Sequence, residues 1–115
     1  MFFVMRYYMK WDKATEYQKW LVSDKAKDLI KRFEKETGWK YLNTYFPILG
    51  FGEDIIEDWF EIPNWAALDK SRVSKVWNEW YDETWGFIDM TRSASSVVYR
   101  TASDVMMPIP PKKKK

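Results

Sequence analysis

Residues 2 to 9 read Phe-Phe-Val-Met-Arg-Tyr-Tyr-Met. Strand alternation places Phe3, Met5, Tyr7 and Met9 on one side and Phe2, Val4, Arg6 and Tyr8 on the other. Both sides are largely apolar, which predicts an interior strand covered on two faces. A chain of 115 residues holds one core and not two. Its helices can cover one face of such a sheet, and the other face needs a cover from elsewhere.

The rest of the chain supplies that sheet and those helices. Asp12 or Thr15 is expected to cap a helix whose apolar stripe runs Tyr17, Trp20, Leu21, Ala26, Leu29, Ile30 and Phe33. The stripe slips at Ser23-Asp24, which predicts a kink or a fresh cap there. Gly38 ends the helix, because glycine enters the left-handed conformation at no steric cost. Residues 39 to 49 read as a second strand, Gly50-Phe51-Gly52 as a turn, and residues 53 to 62 as a returning strand stopped by Pro63. The doublets Ile55-Ile56 and Trp59-Phe60 also fit a helix, but length, the glycine turn and the Ile, Trp and Phe content favour a hairpin strand. Asn64 is a good N-cap for a second helical region carrying Trp65, Leu68, Val73, Val76, Trp77, Trp80, Tyr81 and Thr84, with Ser71 as a restart point. Residues 85 to 94 connect to a last strand, residues 95 to 101. Residues 104 to 115, with Pro108, Pro110, Pro111 and Lys112 to Lys115, form an extended tail beyond a domain of residues 1 to 103.

Strand, helix, strand, strand, helix, strand is the split βαβ plan, a ferredoxin-like α+β domain. Its antiparallel four-stranded sheet carries both helices on one face. The simplest cover for the other face is the same face of a second copy, so a homodimer is expected.

Composition narrows the chemistry. The chain has no Cys and no His. That excludes disulfides, thiolate nucleophiles, zinc fingers, proximal-histidine haem and Ser-His-Asp triads, and leaves only all-oxygen metal sites. No cofactor is expected. Eight Trp, seven Tyr and seven Phe exceed what a small domain encloses by itself, which implies a partner surface or a pocket. One Gln and three Asn beside abundant Lys, Glu and Arg give a thermophile-like balance. The net charge of +2 is misleading: without Lys112 to Lys115 the 19 basic residues become 15, against 17 acidic ones. The folded body is therefore not expected to bind nucleic acid. The first six residues lack the basic leader and the length of a signal peptide, and no stretch reaches the ~20 apolar residues of a membrane span. A cytoplasmic location is the expectation.

The element order, Thr37-Gly38, the Gly50-Phe51-Gly52 turn and the junction Phe60-Glu61-Ile62-Pro63-Asn64-Trp65-Ala66-Ala67-Leu68-Asp69-Lys70 together resemble the dimeric α/β-barrel superfamily across residues 2 to 101. That superfamily includes cofactor-independent monooxygenases, haem-binding chlorite-dismutase-like proteins and stress-responsive proteins, so the fold hosts unrelated activities. The haem-binding members' histidine has no counterpart here. Its cofactor-free oxygenases place Asn and Trp in the pocket, and Asn64 and Trp65 are of those types. Monooxygenase-like activity is what the resemblance implies.

Three groups of residues have both a functional and a packing explanation. Glu53, Asp54, Glu57, Asp58 and Glu61 form the densest acidic run. Alternation separates Glu57, Trp59 and Glu61 from Ile56, Asp58, Phe60 and Ile62, so at least one carboxylate faces a partly buried side. It is either a pocket acid with a raised pKa or a charge neutralised by Arg6 and Arg100 on adjacent strands, with neutralisation favoured. Trp77, Trp80, Tyr81 and Trp85 suit either a ligand cage or core and interface packing, with packing favoured. Tyr41, Asn43 and Tyr45 share one side of the second strand and line either a cavity or a packed layer.

Two readings of function follow. In the first, the protein binds a small apolar or aromatic molecule between sheet and helices or inside the dimer barrel. Tyr8, Asn43, Tyr45, Glu57, Trp59 and Arg100 would line the site, Arg6 or Arg100 would hold an anionic group, and the carboxylate would act as base. In the second, a non-catalytic dimeric interaction module uses the lysine tail to dock an acidic partner.

Overall fold

The computed structural model describes residues 1–47 and 54–100. The Gly50-Phe51-Gly52 turn, Glu53 and the tail lie outside the described residues.

Four strands form one antiparallel sheet: β1 (Phe2–Tyr7), β2 (Lys40–Tyr45), β3 (Ile56–Glu61) and β4 (Ser95–Tyr99), in the order β2-β3-β1-β4. This is the ferredoxin-like arrangement. The apolar β1 takes a central place, pairing with β3 through Phe3 and Phe60 and with β4 through Phe3 and Val98. The segment for which helix and strand competed is strand β3, the other central strand.

Each expected helical region is broken once. The first gives α1 (Ala14–Leu21) and α2 (Asp24–Thr37), the second α3 (Leu68–Arg72) and α4 (Lys75–Thr84). The break falls where the stripe slips. Ser23 Oγ accepts the Ala26 N–H at 3.3 Å as the N-cap of α2, and donates back to the Trp20 carbonyl at 2.5 Å, closing α1. Gly38 ends α2 with φ of 78°, and its N–H bonds the Glu34 carbonyl. Asn64 caps a short 3₁₀ turn at Trp65–Ala67 by accepting the Ala67 N–H at 3.0 Å.

Two expected caps are corrected. Neither Asp12 nor Thr15 caps α1: a 3₁₀ turn at Trp11–Lys13 leads straight into it, with Lys13 at the N-cap and no side-chain bond. The restart before α4 falls at Ser74, which is buried and accepts the Trp77 N–H at 2.9 Å, while the Ser71 hydroxyl turns back to the Leu68 carbonyl.

The helices cover the side of the sheet that carries Phe3, Met5, Tyr7, Ile56, Asp58 and Phe60. Two buried clusters form there. Leu29, Phe33, Trp39, Phe60, Ile62, Ala67 and Val76 make the larger one, and Tyr7, Met9, Tyr17 and Ile56 the smaller, with Trp20 packed against both. Trp39 anchors the first: its indole N–H donates to the Ala67 carbonyl at 2.7 Å, and its ring meets Phe3, Phe33 and Phe60 edge-on.

The opposite side carries Phe2, Val4, Arg6, Glu57, Trp59, Glu61, Val97 and Tyr99, and no helix among the described residues. A register shift in β2 changes who shares it. Tyr41 pairs with Phe60 and Asn43 with Trp59, so Leu42 is the extra residue of a bulge. Tyr41 therefore packs on the helical side against Phe60 and Trp80, while Asn43 and Tyr45 sit on the open side with Trp59 and Glu57. The expectation that Tyr41, Asn43 and Tyr45 share one side assumed unbroken alternation, and the bulge corrects it.

The caps of α2 lie at opposite ends of one helix and should act independently. Ser23→Ala and Gly38→Ala should each lower unfolding stability by about 1 kcal/mol, the first through two lost hydrogen bonds and the second through left-handed strain. Chemical denaturation of the double variant should return the sum of the two losses.

Candidate functional site

Asp58 lies mid-strand on β3, between Met5 of β1 and Thr44 of β2 on the helical side of the sheet. It is only 4% exposed, among Ile56, Phe60 and other apolar side chains. A carboxylate in such a place requires donors, because burying an unpaired charge is costly. They come from two directions. Thr44 Oγ1 donates to Asp58 Oδ1 at 2.6 Å and Tyr7 Oη donates to the same oxygen at 3.0 Å. Behind them stand Tyr41, 2.5 Å from the Thr44 hydroxyl, and Tyr17 of α1, 2.6 Å from the Tyr7 hydroxyl.

The direction of this chain follows from proton counting. Thr44 and Tyr7 each have one hydroxyl proton, and both give it to Asp58. Tyr41 must therefore donate to Thr44, and Tyr17 to Tyr7. Four hydroxyls from three elements thus point toward one carboxylate oxygen. Asp58 Oδ2 takes no hydrogen bond from any described residue.

Beside Asp58 lies a cavity of about 100 Å³ between the sheet and α4. Met5, Tyr7, Tyr17, Asp58, Trp77, Trp80 and Thr84 form its inner walls, and Tyr81, Ile88, Met90 and Ala94 stand toward its rim. The lining is aromatic and apolar except around Asp58. On the β2 side, a second, open groove of about 230 Å³ runs past Gln18, Tyr41, Asn43, Thr44 and Phe46. Thr44 thus bonds the carboxylate of the inner cavity while also lining the outer groove.

The electrostatics follow from burial. Loss of water pushes the Asp58 carboxyl up from 3.8 to about 6, with the hydrogen bonds from Thr44 and Tyr7 pulling in the other direction. Burial, then the adjacent Asp58 charge, pushes the Tyr7 and Tyr17 phenols well above their ordinary value. Burial likewise raises Tyr41 to about 12. Asp58 is therefore the one member of the cluster that changes charge near neutrality, and it can accept or release a proton inside an apolar cavity.

The sequence-derived site residues gather elsewhere. Arg6, Tyr45, Glu57 and Trp59 meet on the open side of the sheet. Arg6 Nε is 3.0 Å from Glu57 Oε2, the Trp59 indole N–H donates to Glu57 Oε1 at 3.0 Å, and the Tyr45 ring stands edge-on to Trp59. Tyr8 lies under the guanidinium of Arg92, 3.5 Å from its ring centre. Asn43 accepts the Thr44 N–H beside the β2 bulge, and Arg100 directly follows β4. The structure separates β4 from β3 by β1, so only Arg6 of the two expected arginines is adjacent to β3.

The acidic run disperses in the same way. Asp54 is half-buried and held by Arg92 at 3.1 Å and the Trp11 indole at 3.2 Å, with the Arg92 bond keeping its carboxyl below the usual range. Glu57 pairs with Arg6, and Asp58 alone goes inside. The aromatic group also divides: Trp77 and Trp80 wall the cavity, Tyr81 stands at its rim, and Trp85 is exposed against Tyr81. Sequence reasoning chose Glu57 and not Asp58 as the site carboxylate and missed Tyr7, Tyr17 and Thr44; the buried charge is met by hydroxyls and not by Arg6 or Arg100. The signal that reaches Asp58 is alternation, which sets it among Ile56, Phe60 and Ile62. Among the described residues, no group of three or more acidic side chains is placed to hold a metal ion.

Neither a protein-family model nor a curated protein matches the chain. Solved structures do. A NIPSNAP-family protein of unknown function from Agrobacterium tumefaciens superposes with a TM-score of 0.62 at 15% identity, over 93% of this chain and 100% of that one. An uncharacterized NIPSNAP domain protein from Burkholderia xenovorans gives 0.62 at 15% identity, over 89% and 96%. A conserved protein from Methanosarcina mazei gives 0.60 at 21% identity, over 86% and 89%. These likenesses establish a shared ferredoxin-like α+β fold.

The Asp58 carboxyl carries a measurable pH signature. Its folded value lies above its ordinary 3.8, so the folded protein binds the extra proton between pH 3.8 and about 6. The resulting stability is complete below that window and lost as pH rises through it. In Asp58→Asn the amide oxygen can keep the Oδ1 bonds while nothing titrates. Relative to this variant, the native protein should lose about 2 kcal/mol of unfolding stability between pH 4 and pH 7. Denaturant titrations across that range test it; parallel pH profiles would refute the assignment.

Proposed function

We propose that this protein binds a small apolar or aromatic molecule in the cavity between sheet and α4, and that it does so as a homodimer joined through the open side of the sheet. The observation that carries the reading is the cavity's composition: aromatic walls around one buried carboxylate, which is the usual make-up of a small-molecule site. A cavity of about 100 Å³ takes little more than one ring. The half-exposed rim residues Tyr81 and Met90 leave room for a longer ligand to extend outward.

The dimer rests on the side of the sheet that no described helix covers. Phe2, Tyr45 and Tyr99 surround Trp59, with Tyr99 stacked on it at 5.6 Å, and Tyr45 and Tyr99 remain substantially exposed. A two-fold contact there buries this aromatic row against itself and encloses Arg6, Glu57 and Trp59 between two sheets. In the dimeric α/β-barrel reading, cofactor-independent monooxygenase-like chemistry is the reaction class, and a pocket carboxylate is its base.

Two measurements test the two parts. Toluene titrated into labelled protein should shift NMR signals of Met5, Thr84 and Ile88, and Ala94→Trp, at an exposed rim position, should abolish those shifts while leaving the fold intact. Shifts that persist in Ala94→Trp would remove the cavity assignment. In sedimentation at micromolar concentration the native chain should run as a dimer and Trp59→Glu as a monomer with an unchanged circular dichroism spectrum. A native monomer would remove the sheet-to-sheet assembly.

A further inference from the structure

Resting on the ligand-binding reading above, we infer that the cavity is selective for a neutral hydroxyl compound of the phenol or enol class, whose O–H donates to Asp58 Oδ2. Oδ1 already receives Thr44 and Tyr7, each backed by a further hydroxyl, and those protons all run toward the carboxylate. Oδ2 is left as an acceptor on a residue that lines the cavity. A ligand group placed against it has to be a donor. An acceptor such as an ether or a carbonyl would face a lone pair, and an apolar group would leave a buried carboxylate oxygen unpaired.

The surroundings decide the ligand's charge. The groups facing Asp58 are Tyr7 from β1, Tyr17 from α1, Thr44 and Tyr41 from β2, and, across the cavity, Tyr81 and Thr84 from α4. Among the described residues, no Lys, Arg, Glu or second Asp lines the cavity. A ligand cation would find one carboxylate but otherwise the apolar walls of Trp77, Trp80 and Met5, which do not replace its hydration shell. A ligand anion would meet the Asp58 charge with no cation to offset it. A neutral hydroxyl on a flat ring satisfies both demands, giving a charge-assisted hydrogen bond to the ionised carboxylate while its ring lies against the indoles.

The same geometry makes the site a proton acceptor. When the ligand's O–H bond breaks, its electron pair stays on the ligand oxygen and the proton forms a bond to Oδ2. The negative charge passes from Asp58 to the ligand. None of the four hydroxyls has to reverse, because Oδ1 continues to accept from Thr44 and Tyr7. Protonation at Oδ1 would instead require one arm of the chain to turn round.

Phenol and toluene have nearly the same shape and differ in the donor, so their comparison isolates Oδ2. At pH 8, NMR titration of the native protein should give phenol at least about tenfold tighter binding than toluene, as a hydrogen bond to a charged group supports. That preference should fall to within about threefold at pH 4.5, where Asp58 is protonated, and likewise in Asp58→Asn at either pH. Thr44→Val removes one of the bonds that favour the ionised carboxyl and should move the midpoint of the phenol preference to higher pH by about one unit. Toluene binding in the cavity with phenol no tighter overturns this inference and leaves the pocket reading standing. Absence of both from the cavity overturns the pocket reading itself. A phenol preference unchanged in Asp58→Asn, or flat with pH, excludes Oδ2 as the acceptor.

Discussion

The buried carboxylate of Asp58 is the constraint around which the helical side of the sheet is arranged. A charge at mid-strand between two aromatic clusters can be tolerated only if donors reach it, and they come from β1, β2 and α1 together. Each donor is fixed by something else. The β2 bulge returns Thr44 to the helical side, the β1–β3 register puts Tyr7 diagonal to Asp58, and α1 carries Tyr17 fully buried against Phe46 and Phe87. Hydroxyls that all point inward leave the second carboxylate oxygen without a donor among the described residues, next to the cavity.

The two sides of the sheet solve the same problem differently. On the helical side, Phe33, Trp39, Phe60 and Trp77 interlock in edge-on and tilted ring contacts, and the single charge is met by hydroxyls. On the open side the charges are met by each other: Arg6 and Glu57 pair, and the Trp59 indole adds a third bond. An ion pair with side chains about a quarter to a third exposed contributes modestly by itself. Its larger effect is to hold Trp59 in place, so that Phe2, Tyr45 and Tyr99 assemble around that ring.

Much of this was legible in the chain. The double-sided apolar pattern of residues 2 to 9 marked β1 as central, Gly38 marked the end of α2, and the slip at Ser23-Asp24 marked the break between α1 and α2. Alternation along residues 56 to 62 separated Asp58 from Glu57 before any contact was known. Other features were not legible. The bulge at Leu42 breaks alternation without a glycine or proline to announce it, so strict alternation groups Tyr41 with Asn43 and puts Thr44 on the other side. Tyr7 and Tyr17 read as ordinary core aromatics, since nothing local distinguishes a phenol that packs from one that also donates.

The sequence by itself determined the element order, the two caps that end and restart the first helical region, and the face to which each β3 residue belongs, because periodicity, capping and glycine preference act over a few neighbouring residues. Only the tertiary structure decided that Tyr7, Tyr17, Tyr41 and Thr44 converge on Asp58, and that Asp54 and Glu57 of the same acidic run pair with Arg92 and Arg6. Those pairings join residues up to 51 positions apart. Which partner a charge or hydroxyl finds at that separation is set by strand order and register, and these come from the packing of the whole sheet.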